Sequence, residues 1–248
     1  MGAQAQGGCV VVFGATGGIG QAVSRQLVSR GKNVVLAGRS PDKLKALAAE
    51  LGCDFIEVDA TDSAQVDAAF AHVVKNCGSP AGVAHCVGSL LLKSAGLTSD
   101  GEWASVLATN LTSAFYVLRA ASRAMTASGG SIVLVSSAAA RIGLANHEGI
   151  AAAKAGVQGL MLAAAATLAR RGIRVNCVAP GLTRTPMTAA LTANEATLKA
   201  STSFHALGRI GEPEEVAAAI CWLLDPAQSW ITGQTLGVDG GLGTVVAR

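Results

Sequence analysis

Charged and aromatic residues are scarce in this chain, and no run of basic residues stands out. Only 14% of the 248 residues are charged and 4% are aromatic, with a net charge of +3. Nucleic-acid-binding proteins usually carry a basic patch, often with aromatic side chains among it. We therefore expect no nucleic-acid partner. Hydrophobic residues make up 50% of the chain, which is enough for a large buried core and argues against disorder.

The cysteines are not arranged as metal ligands or as a redox pair. None forms a C-x-x-C pair or a zinc-like cluster with histidine, so we expect no metal site. Several fall inside apolar runs, which indicates small buried side chains in a reducing compartment. The six cysteines are Cys9, Cys53, Cys77, Cys86, Cys177 and Cys221.

The sequence also shows no pattern typical of a secretory signal or of a membrane-spanning helix. The N-terminal stretch MGAQAQGG lacks the basic segment followed by an apolar one that marks a secretory signal. The most apolar helical stretch, GLMLAAAATLA, is shorter than the roughly 20 residues that a membrane span requires. We expect a soluble cytoplasmic protein with no membrane partner.

Short apolar runs alternate with longer amphipathic ones along the chain. The runs are rich in β-branched residues and bounded by Gly, Pro, Asp or Ser, which is typical of buried strands. They are CVVVF (9–13), NVVLA (33–37), DFIEV (54–58), AGVAHCV (81–87), SIVLVS (131–136), IRVNCVA (173–179) and QTLGV (234–238). Helical patterns lie between them, for example after Pro41 and Pro213. The alternation predicts an α/β fold: a doubly wound, Rossmann-like parallel sheet in a single domain, 1–248.

One long excursion, at about 183–211, has no strand pattern and many small polar residues. Long excursions in compact domains are often binding lids. Its apolar residues Met187, Leu191, Leu198 and Phe204 are compatible with an apolar substrate portion, although packing of the excursion explains them equally well.

A glycine-rich turn follows the first predicted strand and opens a helix. Gly14, Gly18 and Gly20 have the spacing G-x-x-x-G-x-G, with Thr16 and Ile19 between them. Glycines permit a tight turn and close backbone approach to a pyrophosphate, which the helix N-terminus then attracts. A strand before the motif and a helix after it make this a specific prediction of a dinucleotide site.

The ends of the second and third strands predict how the adenosine half is recognised. An acidic residue at the end of the second strand would bind a ribose 2′-hydroxyl, but this chain has Arg39 and Ser40 there. A guanidinium suits a 2′-phosphate, so we expect NADP(H), with NAD(H) as the alternative coenzyme and a solvated arginine as the alternative role. Asp59, followed by Ala60, can accept from the adenine amino group or cap the next helix.

Candidate residues converge at one edge of the predicted sheet. In an open parallel sheet, ligands lie beyond the carboxyl ends of the strands. The residues at such ends are Gly14, Arg39, Asp59, Gly88, Ser137 and Pro180–Gly181.

With these features the sequence resembles the short-chain dehydrogenase/reductase family, of the kind that includes the 3-oxoacyl carrier-protein reductases. The resemblance runs from about Cys9 to about Gly241 and implies one doubly wound domain, a nicotinamide cofactor, a small-molecule substrate and a homotetramer. The matching pieces, in family order, are GATGGIG, VDATD, ATNLTSAF, IVLVSS, AAAKAG, IRVNCVAPGLTRTPM and ITGQTLGVDGG.

The resemblance also implies roles for individual residues. Asn110 matches the asparagine that holds a water, Ser137 the serine that hydrogen-bonds the substrate carbonyl, and Lys154 the lysine that grips the nicotinamide ribose. The stretch HCVG replaces the usual Asn-Asn-Ala-Gly and keeps only Gly88. The segment that flanks the nicotinamide is matched by Pro180, Gly181, Thr183 and Thr185.

Ile150 stands where the family carries its catalytic tyrosine, four residues before Lys154. Hydride addition to a carbonyl leaves an alkoxide, which a phenol with a lowered pKa can protonate and isoleucine cannot. The sole tyrosine, Tyr116, lies in a predicted helix, where packing is its expected role. His147 shares a helical face with Ile150 and Lys154 if the helix begins early enough; otherwise it ends the loop, with Asn146 as the helix cap.

Two other histidines are weaker candidates. His85 follows an apolar run, where a buried, hydrogen-bonded histidine is expected rather than a catalytic one. His205, in the long excursion, could meet substrate, but we expect it at the surface.

Three functions are compatible with this pattern. The first is NADP(H)-dependent hydride transfer to or from a small or acyl-type ketone or alcohol, with His147 or a water as an atypical proton donor. The second is reduction of a C=C bond in an enone or enoyl thioester. The third is a cofactor-binding sensor or a catalytically impaired structural subunit.

Overall fold

Seven parallel strands form one sheet in the computed structural model, which describes residues 8–125 and 129–246. The sheet order is β3-β2-β1-β4-β5-β6-β7, which confirms the doubly wound, single-domain prediction. Each predicted strand is found within two residues of its expected bounds. The strands are β1 (Val10–Phe13), β2 (Val34–Gly38), β3 (Asp54–Glu57), β4 (Gly82–His85), β5 (Gly130–Val135), β6 (Ile173–Pro180) and β7 (Thr235–Val238). The expectation of no secretory signal concerns the first residues of the chain, and residues 1–7 lie outside the described residues.

Helices connect the strands and cover both faces of the sheet. The α-helices are α1 (Gly18–Ser29), α2 (Pro41–Leu51), α3 (Ser63–Cys77), α4 (Asp100–Leu107), α5 (Ser113–Ala124), α6 (Glu148–Leu168), α7 (Ala189–Ala193), α8 (Glu195–Phe204) and α9 (Pro213–Leu224). The two proline signals are borne out, because Pro41 and Pro213 each occupy the first turn of a helix. A π-helical segment, Ala108–Thr112, joins α4 to α5.

The core consists of two apolar layers separated by the sheet. Alternate residues of each strand point to opposite faces, so Val11 and Phe13 of β1 join one layer while Val10 and Val12 join the other. The first layer packs against α3, α5 and α6, and the second against α1, α2 and α9. This arrangement leaves the carboxyl edge of the sheet to loops and helix N-termini.

The excursion after β6 is helical and closes on itself. Thr183 and Gly211 form an isolated parallel bridge, and Gly211 N donates to Leu182 O at 2.9 Å. Between these ends lie α7 and α8. The bridge brings both ends of the excursion back to the end of β6.

Helix α6 is longer than the apolar run that it contains. By length and composition alone, Glu148–Arg171 is long and apolar enough to cross a membrane, although 44% of its most apolar window is buried inside the protein. Val157, Met161 and Ala165 lie on its buried face and pack into the core. A core helix of a globular domain has the same length and composition.

Candidate active site

The glycine turn after β1 depends on the absence of side chains. Gly14 has φ +73°, and a Cβ on it would lie 2.9 Å from the carbonyl carbon of Cys86. A Cβ on Gly20 would lie 2.1 Å from Gly14 O. The N-cap of α1 is Gly17, which has no side chain that could accept hydrogen bonds from the first amides of the helix. The N-terminal amides of α1 are therefore available to an anion such as a pyrophosphate.

The start of the excursion lies directly over this turn. A Cβ on Gly18 would lie 2.8 Å from Thr185 Cγ2 and 3.3 Å from Pro186 Cδ. The Thr185 hydroxyl lies 3.1 Å from Thr188 Oγ1, which fixes the loop locally. Two groups of predicted cofactor contacts, far apart in sequence, are thus neighbours in space.

The end of β2 presents polar groups that suit a phosphate. Arg39 is exposed and forms no ion pair with any described residue. Ser40 is the N-cap of α2, but its hydroxyl makes no capping bond to the described residues. Thr16 Oγ1 lies 3.7 Å from where a Cβ on Gly38 would be, which places it beside the same strand end.

Asp59 does not cap the next helix. The N-cap of α3 is Asp62, which accepts from Ala64 N and Gln65 N. Asp59 Oδ1 accepts from Thr61 N at 2.9 Å and from Thr61 Oγ1 at 2.8 Å. Ala60, which follows it, is buried in the core, so only its backbone is available to a ligand.

Lys154 is anchored beneath the end of β5. Its side chain is buried, and Nζ donates to Val135 O at 2.9 Å. Ser136 Oγ donates to Lys154 O at 2.9 Å and accepts from Gln158 Nε2 at 2.9 Å. These bonds tie α6 to the strand end that carries Ser137. Sequence reasoning did not identify Ser136 and Gln158 as positioning residues, because no local pattern pairs them with α6.

Asn110 and Gly88 complete the same cluster. A Cβ on Gly88 would lie 3.1 Å from Asn110 Oδ1 and 3.5 Å from Lys154 Nζ. Asn110 sits in the π-helical segment, a backbone form that is frequent at functional sites. Its Nδ2 donates to Val106 O and Ser89 Oγ, both at 3.0 Å, and its Oδ1 accepts from Ser89 N at 3.1 Å. The carboxamide is therefore held in one orientation.

Burial shifts the ionisation of the groups around Lys154. Desolvation lowers the pKa of Lys154 to about 8, with smaller opposing effects from Cys177 and Cys86. Desolvation also raises the pKa of the Cys86 and Cys177 thiols to about 12. Near neutral pH the thiols therefore keep their protons, and Lys154 is still mainly protonated, because pH 7 lies below its pKa.

His147 lies just outside helix α6, which begins at Glu148. His147 is the N-cap, and its Nδ1 lies 2.7 Å from Ala145 O. The helix does not begin early enough to put His147 on its first turn. Asn146 is not the cap either; it precedes the cap in a left-handed conformation, with φ 62°. Ile150 is 4% exposed and points into the protein.

The other two candidate histidines are both buried. His85 Nε2 lies 3.1 Å from Ser113 Oγ, and Nδ1 has no hydrogen-bond partner among the described residues. Desolvation, with a smaller effect of Lys154, lowers the pKa of His85 to about 3, so it is neutral near pH 7. His205 was expected at the surface, and this is wrong: its Nδ1 lies 2.7 Å from Ser201 O, and its Nε2 accepts from Leu182 N at 3.1 Å. It connects α8 to the loop after β6.

The described residues contain no group of three or more histidine, cysteine or acidic side chains that could hold a metal ion. All six cysteines are free thiols. Three features fit a nicotinamide dinucleotide. They are the N-terminus of α1 without a side-chain cap, the glycine turn after β1, which has no room for side chains, and Arg39 at the end of β2.

Comparison with known proteins gives a consistent family assignment. Residues 14–243 match the family model described as enoyl-(acyl carrier protein) reductase. The chain is 39% identical over 239 residues to carbonyl reductase family member 4 of Danio rerio, covering 94% of this chain and 96% of that protein. It is 34% identical over 248 residues to the 3-oxoacyl-[acyl-carrier-protein] reductase FabG of Vibrio harveyi, covering 96% of this chain and 98% of that protein.

Solved structures agree. A single-residue variant of actinorhodin polyketide ketoreductase, solved with NADPH, superposes with a TM-score of 0.92 at 30% identity, covering 98% of this chain and 100% of that one. A short-chain type dehydrogenase/reductase from Mycobacterium ulcerans gives a TM-score of 0.91 at 32% identity, covering 96% of this chain and 90% of that one. The chain belongs to the short-chain dehydrogenase/reductase family, whose enzymes are NAD(P)-dependent oxidoreductases.

Proposed function

We propose that this protein is an NADP(H)-dependent oxidoreductase that transfers hydride to or from a small or acyl-type ketone or alcohol. The observation that carries the proposal is the cluster of Lys154, Asn110 and Gly88 at the carboxyl edge, beside the strand end with Ser137. The named activities of three relatives, a carbonyl reductase, a 3-oxoacyl reductase and a ketoreductase, support a carbonyl substrate.

The proposed cofactor site uses the residues that surround the glycine turn. Arg39, Ser40 and Thr16 would hold the adenosine phosphate, and Asp59 the adenine amino group. Thr183, Thr185 and the Pro180–Gly181 segment would flank the nicotinamide. When bound, the reduced nicotinamide supplies the hydride. Thermal shifts with each coenzyme test the preference: NADPH should stabilise the chain more than NADH, and equal shifts would contradict the role of Arg39.

Ser137 would orient the substrate carbonyl. Its Oγ accepts from Ala139 N at 3.1 Å, which leaves the hydroxyl hydrogen available to donate elsewhere. Lys154 would hold the ribose and add positive charge, and Asn110 would hold a water. With isoleucine at 150, the proton must come from another group: His147, a water, or another ionisable side chain near the cluster.

Exposed apolar side chains follow the proposed site residues along the chain, which favours an apolar substrate portion. Leu90 and Leu92 follow Gly88, Ile142 follows Ser137, and Met187 follows Thr185. Their exposed fractions range from 36% to 51%. In this proposal the excursion at 183–211 acts as the lid over that portion.

We also propose a homotetramer that acts in the cytoplasm, without nucleic-acid or membrane partners. Large apolar side chains are exposed on helices, in the turn before β7 and on β7 at the sheet edge, where a second copy would cover them. They are Trp103, Phe115, Leu162, Trp222, Trp230 and Leu236. Light scattering after size-exclusion chromatography tests the mass, and a monomer at micromolar concentration would contradict this part.

The function itself is tested by following NADPH oxidation with a panel of ketones and enones and identifying the products. An alcohol product from a ketone is expected. A saturated ketone from an enone would instead favour C=C reduction, a second candidate supported by Ile150 and by the description of the family model. Cofactor binding with no turnover on either class would favour a sensor or a structural subunit.

A further inference from the structure

Carbonyl reduction requires a proton donor near the substrate oxygen, and the position one turn before Lys154 cannot supply a proton. Ile150 is apolar and buried there. The remaining candidates are the ionisable side chains around the cluster. The choice among them depends on where each side chain lies and which bonds it already makes.

Most of these side chains are unsuitable as donors. His85 is buried, neutral near pH 7 and hydrogen-bonded to Ser113. Both ring nitrogens of His205 are hydrogen-bonded to backbone groups. Tyr116 lies on α5 under the Arg119 guanidinium, whose carbon is 5.2 Å from the ring centroid. His147 precedes α6 and bonds within its own loop.

Lys154 lies beside the strand end that carries Ser137. Its Nζ has one hydrogen-bond partner among the described residues, Val135 O at 2.9 Å. Val135 is two residues before Ser137, so the ammonium is fixed to the strand end that would orient the carbonyl. An ammonium has three N–H donors, which leaves two of them for ligands.

We propose that the Lys154 ammonium is itself the proton donor for carbonyl reduction, an inference that rests on the proposed function. The carbonyl carbon receives the hydride of the reduced nicotinamide coenzyme, and the C=O π pair moves onto oxygen. One N–H bond of Lys154 then breaks as the O–H bond of the alcohol forms. The neutral amine keeps its hydrogen bond to Val135 O and regains a proton from solvent.

The surroundings of Lys154 favour this role. Two of its N–H groups have no protein partner among the described residues, and its neighbours from the end of β4 and from β6 are His85, Cys86 and Cys177. None of these three is anionic near neutral pH, because burial keeps the imidazole and both thiols neutral. The same burial lowers the pKa of Lys154 to about 8, which is close to the optimum for a general acid near neutral pH.

The test compares the titration of Lys154 with the pH profile of the reaction in the full-length protein. The lysines are labelled by reductive methylation with ¹³C, and the NADPH complex is titrated by NMR. The signal that is missing in Lys154→Arg identifies Lys154. Turnover of the best ketone with saturating NADPH is then measured from pH 6 to 10. We expect one NMR signal near pH 8 and a turnover that falls about tenfold per pH unit above the same value.

Two variants separate this role from simple ribose binding. Lys154→Arg keeps a positive charge that does not dissociate in this range, so we expect NADPH affinity within about threefold, turnover lower by about 100-fold or more, and no fall near pH 8. Lys93→Arg, at a surface lysine paired with Glu102 at 2.9 Å, should behave as the wild type in every measurement.

These experiments distinguish a failure of the Lys154 inference from a failure of the proposed function. If Lys154 titrates with the surface lysines, if its NMR and kinetic values differ, or if Lys154→Arg keeps the wild-type turnover and pH profile, the inference is wrong and the proposed function stands. If His147→Ala removes the fall near pH 8, the donor is His147. If the wild type binds no nicotinamide coenzyme or reduces no carbonyl, the proposed function fails, and the inference fails with it.

Discussion

The two halves of the carboxyl edge are built differently. The half formed by β1, β2 and β3 offers mainly backbone: a glycine turn, an uncapped helix N-terminus and strand ends. The half formed by β4, β5 and β6 offers side chains, and Asn110, Ser137 and Lys154 come from three separate segments. The first half keeps the family's motif, while the second departs from it at 85–87 and at Ile150. A backbone site tolerates little change, whereas a side-chain site can change its chemistry while the fold persists.

The largest expected effect is in the backbone half. Gly20→Ala would put a Cβ 2.1 Å from Gly14 O, so the turn must move. We expect the free energy of unfolding to fall by about 3 kcal/mol and NADPH binding to be lost. Gly159→Ala is the matched control, because Gly159 is also helical and a Cβ there meets nothing within 4 Å. The control should gain up to about 1 kcal/mol. Thermal unfolding measures the stability of both variants, and fluorescence titration measures their NADPH binding. If the two variants behave alike, the prediction for the glycine turn is wrong.

The side-chain half should lose stability in acid through His85. The pKa of His85 is lowered to about 3, against 6.5 in the unfolded chain, so only the unfolded state binds this proton between those values. Stability therefore falls as the pH drops below 6.5, by about 1.4 kcal/mol per pH unit once well below it. His85→Gln should remove this slope, measured by urea unfolding from pH 7 to 5. His72→Gln, on the exposed side of α3, is the control that should keep it. Equal slopes in all three proteins would contradict the assignment.

A tyrosine at position 150 tests whether the side-chain half still works with the family's usual proton donor. Ile150→Tyr places a hydroxyl one turn before Lys154, and we expect ketone turnover to rise about tenfold because a second donor becomes available. Ile150→Phe has nearly the same size without the hydroxyl and should not show the rise. NADPH oxidation measures both variants. If Ile150→Tyr abolishes an existing activity instead, the pocket needs the isoleucine for its substrate.

An effect similar in size to that of Ile150→Tyr is expected at Arg39, on the exposed rim of the backbone half. Arg39→Gln should weaken NADPH binding by about tenfold and leave NADH binding unchanged, because only NADPH carries the 2′-phosphate. Titration with both coenzymes at fixed ionic strength measures the difference. A parallel loss for both coenzymes would mean that Arg39 does not read the phosphate.

Local sequence pattern predicted the fold correctly, but it did not predict the surroundings of His147 and His205. The seven strands and the proline-started helices follow from β-branched runs and helical periodicity, and these depend on near neighbours in the sequence. The same reasoning placed His205 at the surface, but the structure buries it against Leu182, 23 residues away. It also left the start of α6 open, and the helix begins one residue after His147.

The sequence by itself therefore determined the doubly wound sheet, the glycine turn and the family, because each is written in residues that are adjacent or regularly spaced. Only the tertiary structure decided that Lys154 Nζ meets Val135 O, that Gly18 faces Thr185 and that Thr183 pairs with Gly211. These contacts join segments that are distant in the chain, and their geometry depends on how whole helices and strands pack. The chemistry proposed for Lys154 belongs to this second group, since its burial and its hydrogen bond to the Val135 carbonyl arise only when α6 lies against β5.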